Sequence, residues 1–139
     1  MTYLWGVMAT DIARAWPLVE SLVAEACDRS QLHSPDGVKE DLVAGKSQLW
    51  VAWDGDMSDM IIRACLVTKL EKSAIASWCR AILVAGRQPK DWFKHLETVE
   101  KWAKAQGAGQ MNFIGRCGLE KWLKPHGYHK THFLMEKRL

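Results

Sequence analysis

The sequence predicts an α+β fold: a mixed, mostly antiparallel twisted sheet with helices on both faces. Three observations carry that prediction. The segments Gln48 to Trp53, Met60 to Leu70 and Ala74 to Ala85 are rich in apolar residues and follow one another through short polar connections, the pattern of an antiparallel meander. Trp92 to Gly107 reads as an amphipathic helix leading to a further short strand, Gln110 to Gly115, and a helix of that length suits a parallel crossover. The 139 residues, 48% of them hydrophobic, suffice for a single core and place residues 1–139 in one domain.

Taken in order, residues 3–9 form a short first strand. Ile12, Trp16, Val19, Val23 and Ala26 then recur at helical spacing, and Pro17, best tolerated in a first turn, sets the start of that helix near Ala15. Ser34-Pro35 reads as an N-cap followed by proline at the first helical position, with Val38 and Leu42 on one face and Gly45 as the stop. Asp54-Gly55 marks the hairpin between the second and third strands, and Glu71-Lys72-Ser73 the turn into the fourth. On the long helix Trp92, Leu96, Val99 and Ala103 make the buried stripe, while Glu97 with Lys101 and Glu100 with Lys104 are favourable pairs one turn apart. Gly107 ends it. A turn at Gly115-Arg116, a short helix near Leu119 to Lys124 and a last strand entered through Gly127-Tyr128 complete the chain.

Composition narrows the function classes. No apolar run approaches the roughly 18 residues that span a bilayer, and the N-terminus lacks the basic start and small-residue cleavage site of a secretory signal, so a cytoplasmic location is expected. Cys27, Cys65, Cys79 and Cys117 are scattered without a Cys-x-x-Cys pair, which points to free and mostly buried thiols. His126, His129 and His132 do not suggest a metal site, because a strand beginning near Tyr128 sends His129 and His132 to opposite faces. Cys117 follows Arg116, a setting that lowers a thiol pKa, but no His or Asn partner is fixed beside it.

The net charge of +3 is divided unevenly: residues 1–59 hold 4 Lys/Arg against 10 Asp/Glu, and residues 60–139 hold 15 against 6. Such a dipole suits an anionic ligand on the basic half, or contact with another charged surface, including a second copy. Eight tryptophans add large amphipathic side chains that serve either a core or an interface. A protein partner or a homo-oligomer follows from these two features. Nucleic acid does not: Lys121, Lys124, Lys130, Lys137 and Arg138 crowd the C-terminal region near Trp122 and Tyr128, but no nucleic-acid motif accompanies them.

The order strand, helix, strand, helix, strand over the last third, with a Trp-Ala pair, the Gly115-Arg116 turn and Gly127-Tyr128, resembles the C-terminal half of the GNAT acyltransferase superfamily. More closely, it resembles the small GNAT-like proteins encoded beside tailed-phage structural genes. The resemblance implies a GNAT-like sheet and transfer of an acetyl group from acetyl-CoA to an amine. The phage-encoded relatives imply an alternative, a non-catalytic GNAT-derived interaction module associated with a virion, located in the host cytoplasm or the virion itself.

In that superfamily the loop after the fourth strand holds the pyrophosphate with Arg/Gln-x-x-Gly-x-Gly/Ala, its backbone N–H groups aimed at the phosphates. Here the matching segment is Arg87-Gln88-Pro89-Lys90-Asp91-Trp92, in which Lys90 and Trp92 stand at the small-residue positions and Pro89 lacks an N–H. The resemblance therefore implies a cofactor site of backbone groups at Leu83, Val84, Ala85 and Gly86 with the charges of Arg87 and Lys90. Many GNAT enzymes protonate the departing thiolate with a tyrosine four residues before the glycine of a Gly-Phe or Gly-Tyr pair. Here that position is Leu123, which transfers no proton. No carboxylate lies within Ala74 to Ala85, and Glu71, the nearest, belongs to a turn, so the catalytic residues are unassigned.

Overall fold

The computed structural model describes residues 1–139, which form a five-stranded sheet in the order β1-β2-β3-β4-β5. Strands β1 (Tyr3–Val7), β2 (Gln48–Asp56), β3 (Asp59–Lys72) and β4 (Ser77–Gly86) are antiparallel neighbours, and β5 (Gln110–Phe113) lies parallel to β4. Helices α1 (Ile12–Ser30) and α2 (Pro35–Val43) cover one face, while α3 (Leu96–Ala105) packs on the other, so the α+β architecture is the expected one. No helix is long and apolar enough to cross a membrane.

The main core lies under α1. Ile12, Trp16, Val19, Val23 and Ala26 are all buried, packed with Val38 and Leu42 of α2 against Leu49, Val51, Cys65, Val67, Leu83 and Ala85 of the sheet. α1 starts at Ile12 rather than near Ala15, and so carries Pro17 inside it. Proline in a helix interior costs on the order of 3 kcal/mol. Burying Trp16, Val19 and Val23, at about 1.5–3 kcal/mol each, outweighs that. α2 begins as its residues indicate: Ser34 Oγ accepts from the Gly37 N–H at 3.1 Å, with Pro35 in the first turn.

Two turns fall elsewhere than expected. β2 runs through Asp54-Gly55 to Asp56, and the hairpin turns at Met57 and Ser58. The Asp56 carboxylate holds that turn by accepting from Ser58 N at 3.0 Å, Ser58 Oγ at 2.7 Å and Asp59 N at 2.9 Å. Likewise β3 continues through Glu71 and Lys72, so the connection to β4 is Ser73 to Ala76, where Ser73 Oγ accepts from the Ile75 and Ala76 N–H groups. β4 therefore begins at Ser77, not Ala74.

The α-helical part of the expected Trp92 to Gly107 segment is Leu96–Ala105, preceded by two 3₁₀ turns, Pro89–Asp91 and Phe93–His95. Leu96, Val99 and Ala103 are buried and Lys94, Glu97, Lys101 and Lys104 exposed, but Trp92, outside the helix, is half-buried. Lys101 pairs with Glu97 at 3.5 Å, whereas Glu100 takes a different partner, Tyr128. β5 ends at Phe113, and after it come a 3₁₀ turn at Cys117–Leu119, the four-residue helix α4 (Glu120–Leu123) and a further 3₁₀ turn, Lys124–His126. The last strand does not form: residues 128–139 pair with no strand. A strand exists only through its neighbour, and here the chain leaves Gly127 at φ +91° with Tyr128 drawn onto α3.

Candidate functional site

The feature that shapes the site is an extra residue in β4. Val67 of β3 faces Leu83, but the next residue, Thr68, faces Ala81, so Ile82 is a bulge without an opposite number. The bulge inverts the pleat. Leu83 and Ala85 point into the core under α1, whereas Cys79 and Ala81 share the α3 face with Thr68, whose Oγ1 donates to Gln48 Oε1 and accepts from the Trp50 indole, both at 3.0 Å. β5 departs at the same level. Its last paired residue is Phe113, opposite Ala81, and only Ile114 N still reaches Ala81 O at 3.3 Å. Beyond it, Ile82 to Gly86 have no strand on that side, and the two parallel strands diverge.

The loop leaving β4 is closed on itself. Gly86 sits at φ +148°, where a Cβ would fall 2.6 Å from the Ala64 Cβ and 2.7 Å from the Arg63 carbonyl. Gln88 is left-handed at φ +54° and opens the first 3₁₀ turn. Three loop N–H groups are then spent locally: Asp91 N donates to Gln88 O, Trp92 N to Pro89 O and His95 N to Trp92 O, at 3.0–3.1 Å. The Trp92 indole donates to Arg87 O at 2.7 Å. From the far end of the chain, Thr2 Oγ1 donates to Asp91 O at 2.8 Å and lies 2.9 Å from His95 Nε2. Since the hydroxyl has one hydrogen, His95 is the donor in that second contact. Burial, and secondarily Lys94, hold the His95 pKa below its ordinary value, consistent with a neutral ring.

Leu83 and Ala85 are therefore core residues, Val84 faces α3, and Arg87 and Lys90 are exposed with no carboxylate within ion-pair range. With Gly86 between them, these residues lie along one strand end and loop. The N–H groups of Asp91, Trp92 and His95 are committed and Pro89 has none, and the loop does not open an α-helix directly, since α3 begins at Leu96 with an uncapped His95 before it. The exposed charges at the loop are those of Arg87 and Lys90.

Aromatic side chains gather beside β5, between α3, α4 and the loop that leaves β4. Phe93, Leu96 and Leu123 form a second buried cluster, packed with Trp92, Met111, Phe113, Trp122 and Tyr128. Phe93 stacks on Trp122 at 6.2 Å, and Phe113 meets Tyr128 edge-on at 5.3 Å. The remaining space is an apolar cavity of about 40 Å³ between Trp50, Leu66, Val84, Leu96, Val99 and Phe113, with His95 as its polar lining residue. Ligand pockets for small molecules run to about 300–1,000 Å³. Leu123, at the position of the family's proton donor, is buried in this cluster. Glu71 is at the opposite end of β4 from the loop, facing Trp78, where it pairs with Arg80 at 3.2 Å and accepts from the Trp78 indole at 2.9 Å.

His126 lies against Phe93, 5.7 Å between ring centres, while His129 and His132 are exposed on the segment after Tyr128, and no three His, Cys, Asp or Glu side chains converge on a point. Cys27, Cys65 and Cys79 are buried and Cys117 is exposed, all as free thiols. Burial pushes the Cys65 thiol up to about 12, which makes it inert as a nucleophile. Sequence reasoning missed the Thr2–His95 contact and the Tyr128–Glu100 bond. Their partners are 93 and 28 residues apart, and no local pattern signals either.

The fold as a whole is shared with solved acetyltransferases. A crystal structure of a probable acetyltransferase superposes at TM-score 0.72 with 10% identity, over 99% of this chain and 96% of that one. The chain has the GNAT fold. Ribosomal-protein-alanine N-acetyltransferase from Brucella melitensis biovar Abortus 2308 matches at TM-score 0.71 and 10% identity, covering both chains completely. Aminoglycoside N-acetyltransferase AAC(6')-Iy, solved in complex with CoA, matches at 0.65 and 14% identity over 100% of this chain and 95% of that one. No protein-family profile matches the sequence, and no curated protein matches it. The GNAT likeness thus lies in the fold, and the residues of this GNAT-fold chain have to be read on their own.

Proposed function

We propose that this single-domain protein uses the GNAT fold as a binding module, associated with a phage virion, rather than as an acyltransferase. One observation carries the reading: the β4–α3 loop folds into two 3₁₀ turns tied to Thr2, beside an apolar cluster of Phe93, Trp122 and Leu123. Amine acylation needs a group to take the ammonium proton and another to give one to the leaving thiolate. Leu123 does neither, and the nearby hydroxyl, that of Tyr128, is committed to Glu100. The phage setting is supported by the resemblance of the Gly115-Arg116 and Gly127-Tyr128 layout to phage-encoded GNAT-like proteins. The test is calorimetry with acetyl-CoA and with coenzyme A, together with turnover against a pool of amines. The expected result is no acetyl transfer; rapid turnover would overturn the reading.

A second reading, retained binding of acetyl-CoA with transfer to an amine, is favoured by the divergence at Ile82, which leaves the Leu83–Gly86 backbone edge without a strand partner beside the unpaired cations Arg87 and Lys90. In this reading Arg87→Ala with Lys90→Ala weakens the binding of acetyl-CoA and lowers its salt sensitivity. An affinity untouched by the double change would place any bound cofactor elsewhere.

A further inference from the structure

The α1 side of the sheet is covered only in part. The core under α1 reaches Ile82, Leu83 and Ala85 of β4 and takes in nothing nearer the start of that strand. There Cys79 and Ala81 turn toward α3, as do their β5 neighbours Met111 and Phe113, which pack with Phe93 and Leu96. The residues that alternate with them, Trp78 and Arg80 on β4 and Gln110 and Asn112 on β5, therefore point to the other side, where Trp78 is flanked by Glu71 of β3.

These side chains are joined into a row. Glu71 Oε2 accepts from the Trp78 indole at 2.9 Å and pairs with Arg80 Nη1 at 3.2 Å, and Arg80 Nε donates to Asn112 Oδ1 at 3.0 Å. The guanidinium lies 5.6 Å from the centre of the Trp78 ring. Crossing three strands, the row spans about 10 Å. It leaves hydrogen-bonding groups open along its length: Glu71 Oε1, Arg80 Nη2, the Asn112 amide N–H groups and the Gln110 amide have no protein partner, and the Glu71 and Arg80 side chains are 27 and 30% exposed. Glu71 and Trp78 also wall a hollow of about 250 Å³ together with Lys72, Ser77 and Gly107. That is the volume of about eight waters, room for one pyranose ring.

We infer that this row and its hollow bind a neutral oligosaccharide, with a sugar ring against Trp78 and its hydroxyls on Glu71, Arg80, Asn112 and Gln110. A hydroxyl both donates and accepts, so it suits a strip in which an open acceptor, Glu71 Oε1, stands beside open donors on Arg80 and Asn112. A phosphate would be set against the Glu71 carboxylate, and an ammonium against the Arg80 guanidinium. The half-buried indole supplies an apolar surface among those polar groups, which fits a ligand that is apolar on the face of its ring and polar at the rim. The row lies at the start of β4, the opposite end of the strand from Gly86 and the Arg87 loop, so it stands apart from any site for coenzyme A there. The inference rests on the binding-module reading and deepens it by naming the class of ligand.

The test is titration of the full, isotope-labelled chain with trisaccharides of glucose, galactose, mannose and N-acetylglucosamine, followed by amide and indole NMR. The expected result is that at least one of them binds, that the shifts gather at the Trp78 indole N–H and the amides of Glu71, Arg80, Gln110 and Asn112, and that the affinity is the same at low salt and at about 0.5 M. Trp78→Ala should weaken binding at least about tenfold, while Trp78→Tyr, which keeps an aromatic ring, retains it. Gln110→Ala, at an exposed position, should weaken it about two- to tenfold and reads the site even if Trp78→Ala does not fold. No binding across the four sugars, shifts centred elsewhere on the chain, or an affinity unchanged by these alanine substitutions would overturn the inference. A preference for a sulfated trisaccharide that salt abolishes would overturn it too. Rapid acetyl transfer from acetyl-CoA would sink the module reading without moving these shifts, so the two proposals fail separately.

Discussion

Tyr128 donates its phenolic hydrogen to the Glu100 carboxylate at 2.5 Å, joining the end of the α4 region to the middle of α3 across 28 residues. The tyrosine is thereby held neutral: burial, and after it the hydrogen bond to Glu100, push its pKa upward. It stands beyond Leu123, the residue at the place of the donor in the resembled superfamily, and holds the root of residues 128–139.

Tyr128→Phe should therefore lower stability by about 1.5–3 kcal/mol, the range for a hydrogen bond to a charged group, with the denaturant midpoint as the measurement. The sign with pH follows from the raised pKa. The neutral form is favoured in the folded state, so the contribution is full below the unfolded tyrosine value of about 10 and is lost as pH rises above it. Wild type should lose stability more steeply than Tyr128→Phe above pH 10. Parallel alkaline profiles would show that the bond does not persist in solution.

Leu96 begins α3 and fills the second cluster with Phe93 and Leu123. At 6% exposure its truncation to alanine leaves a cavity that its neighbours only partly close, and Leu96→Ala should cost about 2–5 kcal/mol. An unchanged denaturation midpoint would show that α3 packs through another face.

Gly86→Ala and Gly118→Ala form a matched pair. At Gly86 both the φ of +148° and the 2.6 Å approach to Ala64 oppose a side chain, so a loss of about 1–3 kcal/mol is expected. At Gly118 an added Cβ meets nothing within 4 Å, and the change should stay within about 0.5 kcal/mol. Equal thermal midpoints for the two variants would contradict the tight passage of β4 over β3.

His95 links the loop to Thr2, and its pKa is lowered mainly by desolvation. A lowered value means that the unfolded chain binds the proton first, so stability is fully present above the ordinary histidine pKa of 6.5 and declines as pH falls toward the folded value. His95→Gln, which keeps an N–H for the Thr2 hydroxyl, should flatten the decline just below pH 6.5. Asp54, Asp56 and Glu120, with lowered values, act in a more acidic window. A profile unchanged by the substitution would mean that the ring is free of the loop.

Sequence alone determined those parts of the molecule whose physics is local. The apolar stripe of α1 from Ile12 to Ala26, the Ser34 cap and the Leu96–Val99–Ala103 stripe follow from a 3.6-residue period and from which side chains reach their own backbone. The parallel placement of β5 beside β4 followed from the length of the connection between them, and Leu123 at the expected donor position was legible as a residue type. Tertiary structure decided the rest. Asp54-Gly55 is a good turn pair, yet cross-strand pairing of β2 with β3 carries the hairpin on to Met57-Ser58, where Asp56 binds three donors. The bulge at Ile82 depends on β3 and β4 being registered on both sides of it, and the closure of the Arg87 loop on Thr2, a residue from the other end of the chain. The residues after Tyr128 carry the composition of a strand, but a strand requires an edge to pair with, and composition does not say which chain supplies it.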